Sequence, residues 1–257
     1  MKFAAIDIGN TTAKATILNG HAVTEVFRGG SATEALEWAS IRSPQGLAYC
    51  TTRDLPEEER HALTEAGAWE FTARSPVPLA VDYASRDTLG ADRLASAVGA
   101  AFRFPGSNIL VADAGTALTL DFVEAAGRFI GGNISPGLAM RFAALNRFTS
   151  RLPLVEPQAP EESPVLGDRR GHYLGVDTAS AIRCGVRWGM AGEIAAVFSL
   201  AERDYGKVLL LLTGGDGLRL MPDVQRLLGG ETTVCYEADL LALGLNIGYE
   251  FNHDNEI

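Results

Sequence analysis

One short pattern occurs twice in this chain and limits what it can fold into: an apolar run, an aspartate, one residue, a glycine, then a threonine hydroxyl. It stands at Phe3-Ala-Ala-Ile-Asp7-Ile8-Gly9-Asn10-Thr11-Thr12 and again at Val111-Ala-Asp113-Ala-Gly115-Thr116. The apolar run reads as a buried strand with a carboxylate at its end. The glycine lets the backbone come close to a ligand, so successive N–H groups can face an anion while the carboxylate serves a metal ion or its waters. In both copies a second strand follows, Ala13 to Leu18 and Ala117 to Val123. A turn comes next, Asn19-Gly20 or Ala126-Gly127, and then a third strand, Ala22 to Phe27 or Arg128 to Ile130. Asn-Gly is a strong hairpin signal. An Asp-x-Gly sequence also makes tight turns with no ligand, but two copies in the same strand context argue for two halves of similar build. Two facing phosphate turns could hold both ends of a polyphosphate.

A chain of 257 residues is long enough for two domains of about 120 residues each. The duplication places the division at 110/111, giving domains 1–110 and 111–257. The 47% hydrophobic content is ordinary for an α/β enzyme, and no apolar stretch is long enough to cross a bilayer. Met1-Lys2 runs directly into a strand, so a secretory signal is not expected and a cytoplasmic location is. A net charge of −10 argues against nucleic acid as a partner, since its phosphates need a basic surface. An anionic ligand must therefore be met locally, by bound metal, Arg93, Lys14 and backbone amides. Cys50, Cys184 and Cys235 are widely spaced, which points to reduced, packed thiols rather than disulfides or zinc. His21, His61, His172 and His253 are scattered and offer no hydrolase triad.

Between the two copies the chain reads as helix (Thr33 to Ile41), short buried strand (Gly46 to Thr51), helix (Pro56 to Gly67) and edge strand (Trp69 to Ala73). Glu57, Glu58 and Glu59 form the acidic first turn that a helix dipole favours. Residues 75–89 read as connector and loop. From Gly90 to Phe104 the apolar spacing is helical, with Leu94, Ala95, Val98, Ala101 and Phe102 in phase. Gly90-Ala91-Asp92-Arg93 then lies at a helix start, where an anion is well received. A plain acidic N-cap with a solvent-facing arginine is the alternative.

After the second turn, Gly131 to Gly137 reads as a glycine-dense loop opening a helix over Leu138 to Leu145, and Arg151 to Gly167 as an irregular surface loop. Thr178 to Phe198 reads as a long helix whose Gly185, Gly189 and Gly192 permit close packing, against the sheet or against a second subunit. The run Val208 to Leu212 suits a strand covered on both faces, and Gly214-Gly215 at its carboxyl end suits a ligand crevice where a flat base such as adenine could lie. Pro222 to Leu228 reads as a helix, Thr232 to Tyr236 as an edge strand and Ala238 to Tyr249 as a closing helix, with a frayed tail over residues 251–257.

Taken together, DIGNTT at 7–12, TLGADR at 88–93, DAGTALTLD at 113–121, GGNISPG at 131–137 and TGGD at 213–216 make the chain resemble the type III pantothenate kinases over nearly its whole length. These belong to the actin-like, sugar kinase and Hsp70-like superfamily. The resemblance implies an α/β fold of two duplicated ribonuclease-H-like domains, each a mixed five-stranded sheet flanked by helices, with the active-site cleft between them. It implies ATP-dependent phosphorylation of pantothenate, the first step of coenzyme A synthesis. ATP would be bound by Asp7, Ile8, Gly9, Asn10, Thr11, Thr12, Ala13 and Lys14, with Thr116, Gly214 and Gly215. Asp92 would be the proton acceptor, in a substrate site with Tyr83, Gly90, Ala91, Arg93 and Thr178. Asp7 would act through Mg²⁺, and Asp113 would ligate a monovalent cation, K⁺ or NH₄⁺. The resemblance also implies a homodimer, with Thr178 acting across the interface, and no membrane partner. It requires Asp7 and Asp113 on opposite walls of one cleft with Asp92 at its floor. Two alternatives stay open: a non-catalytic nucleotide-binding regulator of the same fold, and a kinase for another small alcohol or acid.

Overall fold

The computed structural model describes residues 1–10, 12–156, 173–229 and 232–253. Thr11, most of the surface loop expected from 151 to 167, and the end of the tail lie outside them. The chain divides into two compact units. The first comprises Met1–Ser107, Phe122–Gly131 and Asp239–Ile257, and the second Asn108–Asp121 and Gly132–Ala238. The sequence reading drew one boundary, after residue 110; the chain changes unit at 107/108, 121/122, 131/132 and 238/239.

The amino-terminal sheet is built from β1 (Lys2–Ile8), β2 (Ala13–Asn19), β3 (Ala22–Gly29), β4 (Gly46–Thr51) and β5 (Trp69–Glu70), in the order β3-β2-β1-β4-β5. The first three strands form an antiparallel meander, and β4 and β5 add parallel to β1 through the crossover helices α1 (Ala32–Ser40) and α2 (Glu57–Glu65). Helix α1 begins where Ser31 caps it by accepting from the Glu34 N–H at 3.2 Å. Helix α2 follows Pro56 and carries the three glutamates in its first turn.

Alternation along β1 fixes what each face meets. Ala4, Ile6 and Ile8 join the α1 residues Ala32, Ala35, Leu36 and Ala39 in one buried cluster. Phe3, Ala5 and Asp7 point the other way. On that face Phe3 meets Tyr249, ring centroids 5.2 Å apart, in the closing helix α7 (Leu240–His253). Beside α7 lies α3 (Ala91–Arg103), and the two helices touch through glycine. A Cβ on Gly99 would strike the Leu240 carbonyl, and one on Gly244 the Ala95 carbonyl. Two long helices therefore cover the face to which Asp7 belongs.

The second sheet repeats the plan with β7 (Asn108–Ala114), β8 (Ala117–Glu124), β9 (Arg128–Pro136), β10 (Val208–Thr213) and β11 (Val234–Tyr236). Its order is β11-β10-β7-β8-β9-β6, with β10 parallel to both β7 and β11. It thus carries a sixth strand beyond the five expected, because the two-residue β6 (Ala80–Val81) pairs parallel to β9. Its helices are α4 (Leu138–Arg147), α5 (Thr178–Tyr205) and α6 (Gly217–Leu228). Arg187 of α5 grips Asp223 of α6, with Nη2 2.8 Å from Oδ1, and Arg141 of α4 reaches Glu193 of α5 at 2.5 Å.

Some element bounds differ from the sequence reading, each for a local reason. The glycine-dense stretch after Ile130 is strand as far as Pro136 rather than loop, because Gly132 lies directly against the β8 backbone at Leu120 and Asp121. Helix α6 starts at Gly217 and runs through Pro222; Leu220 and Val224, fully buried at helical spacing, hold it. Helix α5 continues to Tyr205, where Gly206 stops it at φ 77°. On α5, a Cβ added at Gly185, Gly189 or Gly192 would meet nothing within 4 Å among the described residues. Packing against the sheet is therefore not their purpose.

Candidate active site

In the first unit, Asp7 sits near the carboxyl end of the central strand, paired in register with Lys14 on β2 and with Cys50 on β4. Directly opposed residues share a face, so all three side chains stand under α3 and α7. Beyond Ile8 the chain turns, the Gly9 N–H donating to the Thr12 carbonyl at 3.0 Å. A tight turn thus stands where the sequence places the first Asp-x-Gly motif.

Asp92 lies in the first turn of α3. Its Oδ1 accepts from the Arg93 N–H at 2.9 Å, and a Cβ on Gly90 would collide with that oxygen. Glycine at 90 is thus what lets the carboxylate fold back over the helix start. The plain acidic N-cap alternative fails twice: the cap position is Gly90, with no side-chain cap hydrogen bond, and Arg93 is 5% exposed rather than solvent-facing. The Arg93 guanidinium is 5.6 Å from the Tyr83 ring, with a long 3.5 Å contact from Nη1 to Oη. Tyr83 in turn rests near Phe129 and lies within 3.8 Å of the Cβ position of Gly131.

The electrostatics of this unit follow from burying two carboxylates together. Asp7 is raised to about 6, first by burial and then by the Asp92 charge, with Lys14 opposing both. Asp92 is also raised, by burial, with the Arg93 amide and guanidinium working the other way. Cys50 is pushed well above the ordinary thiol range, first by burial and then by the Asp7 and Asp92 charges, so it is a protonated packing residue. All three cysteines are free thiols, in line with the sequence reading. A cavity of about 850 Å³ opens beside the turn, with Asn10, Thr51, Arg53, Leu89, Gly90 and Ala91 on its walls. It joins the first phosphate turn to the start of α3.

In the second unit, Asp113 near the end of β7 pairs in register with Thr213 of β10. Gly214 follows at φ 80°, a conformation that side-chain-bearing residues rarely adopt. A Cβ there would strike Asp113 Oδ1 and come within 2.6 Å of the Ala114 carbonyl. The Gly115 N–H closes the second turn on the Ala117 carbonyl at 3.0 Å, and the Asp216 N–H holds the Ala114 carbonyl at 2.9 Å. Tyr236 Oη donates to the Gly214 carbonyl at 3.3 Å. Thr116 is fixed from the other side, where the Gly137 N–H at the start of α4 reaches its carbonyl at 3.1 Å. Asp113 and Gly214 therefore meet, with Thr116 in the same turn as Asp113 and Gly215 next to Gly214 in the chain. Thr178, by contrast, is exposed at the first turn of α5, inside the capping box formed by Asp177 and Ser180.

Two residues beside the first turn were not legible as site residues. Cys50 carried no motif; only its register with Asp7 reveals it. Asp239 read as an ordinary helix-start residue, yet its Oδ1 is 2.6 Å from Lys14 Nζ. Among the described residues, no group of three or more His, Cys, Asp or Glu side chains is arranged as a self-sufficient metal site. Asp7 and Asp92 nevertheless suit a hard divalent ion that completes its shell with other oxygens. They are buried oxygen donors whose burial and mutual repulsion such an ion would offset.

Two meander-and-crossover sheets, each ending its central strand in an Asp-x-Gly turn, define the duplicated ribonuclease-H-like class shared by actin-like ATPases and sugar kinases. In the solved structures this chain matches the activator of 2-hydroxyisocaproyl-CoA dehydratase from Clostridium difficile, determined with bound ADPNP. That match has a TM-score of 0.60 and 14% identity, and covers 99% of this chain and 96% of that one. Within the class, residues 3–199 match the family model of the type III pantothenate kinases. The chain is 37% identical over 251 residues to the type III pantothenate kinase of Porphyromonas gingivalis, covering 96% of this chain and 97% of that protein. With the enzyme of that name from Phocaeicola vulgatus it shares 40% over 216 residues, covering 82% and 85% respectively. The chain belongs to the type III pantothenate kinase family.

Proposed function

We propose that this protein phosphorylates pantothenate with ATP, giving 4'-phosphopantothenate, the entry step of coenzyme A synthesis. The observation that carries this is family membership over nearly the whole chain, joined to the buried Asp7–Asp92 pair beside the first phosphate turn. Phosphoryl transfer asks little covalent chemistry of a protein and depends on positioning and charge neutralisation.

In this reading Asp7, Ile8, Gly9, Asn10, Thr12, Ala13 and Lys14 receive the ATP phosphates, together with Thr11. Thr116, Gly214 and Gly215 serve the same nucleotide. Asp92 accepts the proton of the attacking hydroxyl, a task suited to a carboxylate that burial has made more basic. Gly90, Ala91, Arg93 and Tyr83 hold the substrate, Arg93 offering paired donors for a carboxylate or amide oxygen. Asp7 would hold Mg²⁺, directly or through water, and the ion would neutralise charge on the transferring phosphates. Asp113 would take a monovalent cation, K⁺ or NH₄⁺.

A homodimer belongs to the same proposal. The open glycine face of α5 supports it, since nothing among the described residues fills that face. Thr178, exposed on the same helix, would then act on substrate across the interface. Among the described residues no helix is long and apolar enough to cross a membrane, which suits an enzyme working on dissolved ATP and pantothenate in the cytoplasm. A purely regulatory nucleotide binder would have no use for two destabilised carboxylates. The test is ADP release by the purified protein over a panel of small hydroxy acids with Mg²⁺, with and without K⁺. Selective turnover of pantothenate to a mono-phosphorylated product is expected; no ADP with pantothenate would overturn the proposal.

A further inference from the structure

Lys14 and Asp239 lie far apart in sequence, yet they form an ion pair of 2.6 Å beside the first phosphate turn, with side chains only 19% and 24% exposed. We infer that Asp239 is a positioning residue, fixing the Lys14 ammonium over the turn before ATP arrives. The inference rests on the proposed contact between Lys14 and the ATP phosphates.

The geometry of α7 makes the case. Its far end is pinned to the start of β1, where Tyr249 meets Phe3 and where a Cβ on Gly46, beside Phe3 on β4, would lie 2.9 Å from the Tyr249 ring. Its near end is Asp239, held to the residue directly opposite Asp7. From Phe3 to Asp7 is four strand steps, about 13 Å, and from Asp239 to Tyr249 ten helical steps, about 15 Å. The lengths match, so α7 runs antiparallel along β1 as a strut, and a strut secured at Phe3 delivers its first residue to Lys14. Glycine-to-backbone contact with α3 through Gly99 and Gly244 removes play from that strut.

Stability does not explain the pair, because a partly exposed ion pair adds little to it. Positioning does. A free lysine samples many rotamers and loses that freedom when it closes on a phosphate, whereas Lys14 is already held. Asp239 also stands at the amino end of α7, its carbonyl accepting from the Leu243 N–H at 3.0 Å, where the helix dipole steadies a carboxylate. The backbone of Asp239 is thus held by its own helix.

The test compares Asp239→Asn, Asp239→Glu, Lys14→Ala and the double variant Lys14→Ala/Asp239→Asn in the full chain. Asparagine suits the start of a helix as well as aspartate does, so Asp239→Asn removes the charge without opposing the start of α7. Expected for Asp239→Asn is a KM for ATP raised about tenfold, on the order of the rotamer freedom the pair suppresses. The KM for pantothenate and the unfolding midpoint should hardly move. Asp239→Glu should recover part of the loss, and Asp239→Asn should add nothing in the Lys14→Ala background. If Lys14→Ala leaves the KM for ATP unchanged, Lys14 does not meet the nucleotide and both readings fall. If Lys14→Ala raises that KM but Asp239→Asn does not, or if Asp239→Asn still costs in the double variant, the positioning role alone is overturned.

Discussion

Asp7→Asn should stabilise the nucleotide-free protein at neutral pH while removing its activity. Burial and the Asp92 charge raise the Asp7 carboxyl from 3.8 to about 6. A carboxyl held above its unfolded value binds its proton more tightly when folded. Its contribution to stability is therefore complete below 3.8 and is lost as pH rises through about 6. The interval between these values corresponds to roughly 3 kcal/mol of strain carried by the ionised form at neutral pH. Asparagine keeps the shape and removes the charge. Allowing for relaxation, and for the partial compensation that Lys14 already gives, the variant should gain about 1–3 kcal/mol near pH 7.5, shrinking below about 1 kcal/mol near pH 4. Denaturant unfolding of both proteins in chelator-containing, nucleotide-free buffer at the two pH values reads this directly. Added Mg²⁺ should then stabilise the unsubstituted protein more than the variant. A variant less stable than its parent at neutral pH, or a gain that does not change with pH, would refute the claim that Asp7 is a strained carboxylate awaiting a cation.

Three further outcomes follow from single contacts. Asp92→Asn should leave the unfolding curve close to that of the parent while lowering kcat by about 10²–10⁴, the usual worth of a positioned proton acceptor; near-normal turnover would remove Asp92 from that role. Gly214→Ala places a Cβ against Asp113 and the Ala114 carbonyl at a positive φ, and should cost about 1–3 kcal/mol of stability and weaken ATP binding in calorimetry; unchanged binding would separate Gly214 from the nucleotide site. Gly189→Trp fills open space on α5 within one chain, so light scattering should show loss of self-association without loss of helix content, and an unchanged mass would move the proposed interface elsewhere.

Both meanders could be read from the sequence because their signals are local. Asn19-Gly20 sets one hairpin, Gly127 the other, and unbroken apolar runs such as Ile109 to Ala112 can only be buried strands. What escaped depends on partners distant in the chain. Ala80-Val81 is too short to show a period and is a strand only because β9 accepts it. The glycines after Ile130 looked like loop because close backbone approach to β8 and loop flexibility select the same residue. Pro222 reads as a helix start, since proline disfavours helix before it, but burial of Leu220 outweighs that preference. The site divided along the same line. Asp92 and Arg93 are visible as candidates through their place at a helix start, whereas Cys50 and Asp239 enter only through strand register and the path of α7.

The two phosphate turns are not equivalent, and the difference is written into their loops. Strand β2 begins six residues after Asp7, while β8 begins only four after Asp113. The first turn closes from Gly9 to Thr12 and the second from Gly115 to Ala117. The longer turn has more backbone N–H groups to offer an anion. The second residue of the following strand also differs, being Lys14 in β2 and the fully buried Leu118 in β8. The first copy thus carries a built-in cation opposite its aspartate, whereas β8 contains no lysine or arginine at all. In the proposed reading, an acidic chain receiving a highly charged nucleotide would then have two ways to supply positive charge: a side chain at the first turn, and a bound ion at the second. That asymmetry supports the proposed monovalent cation at Asp113, and it gives Lys14, the only lysine in either turn or the strand after it, a reason to be held by Asp239 rather than left to solvent.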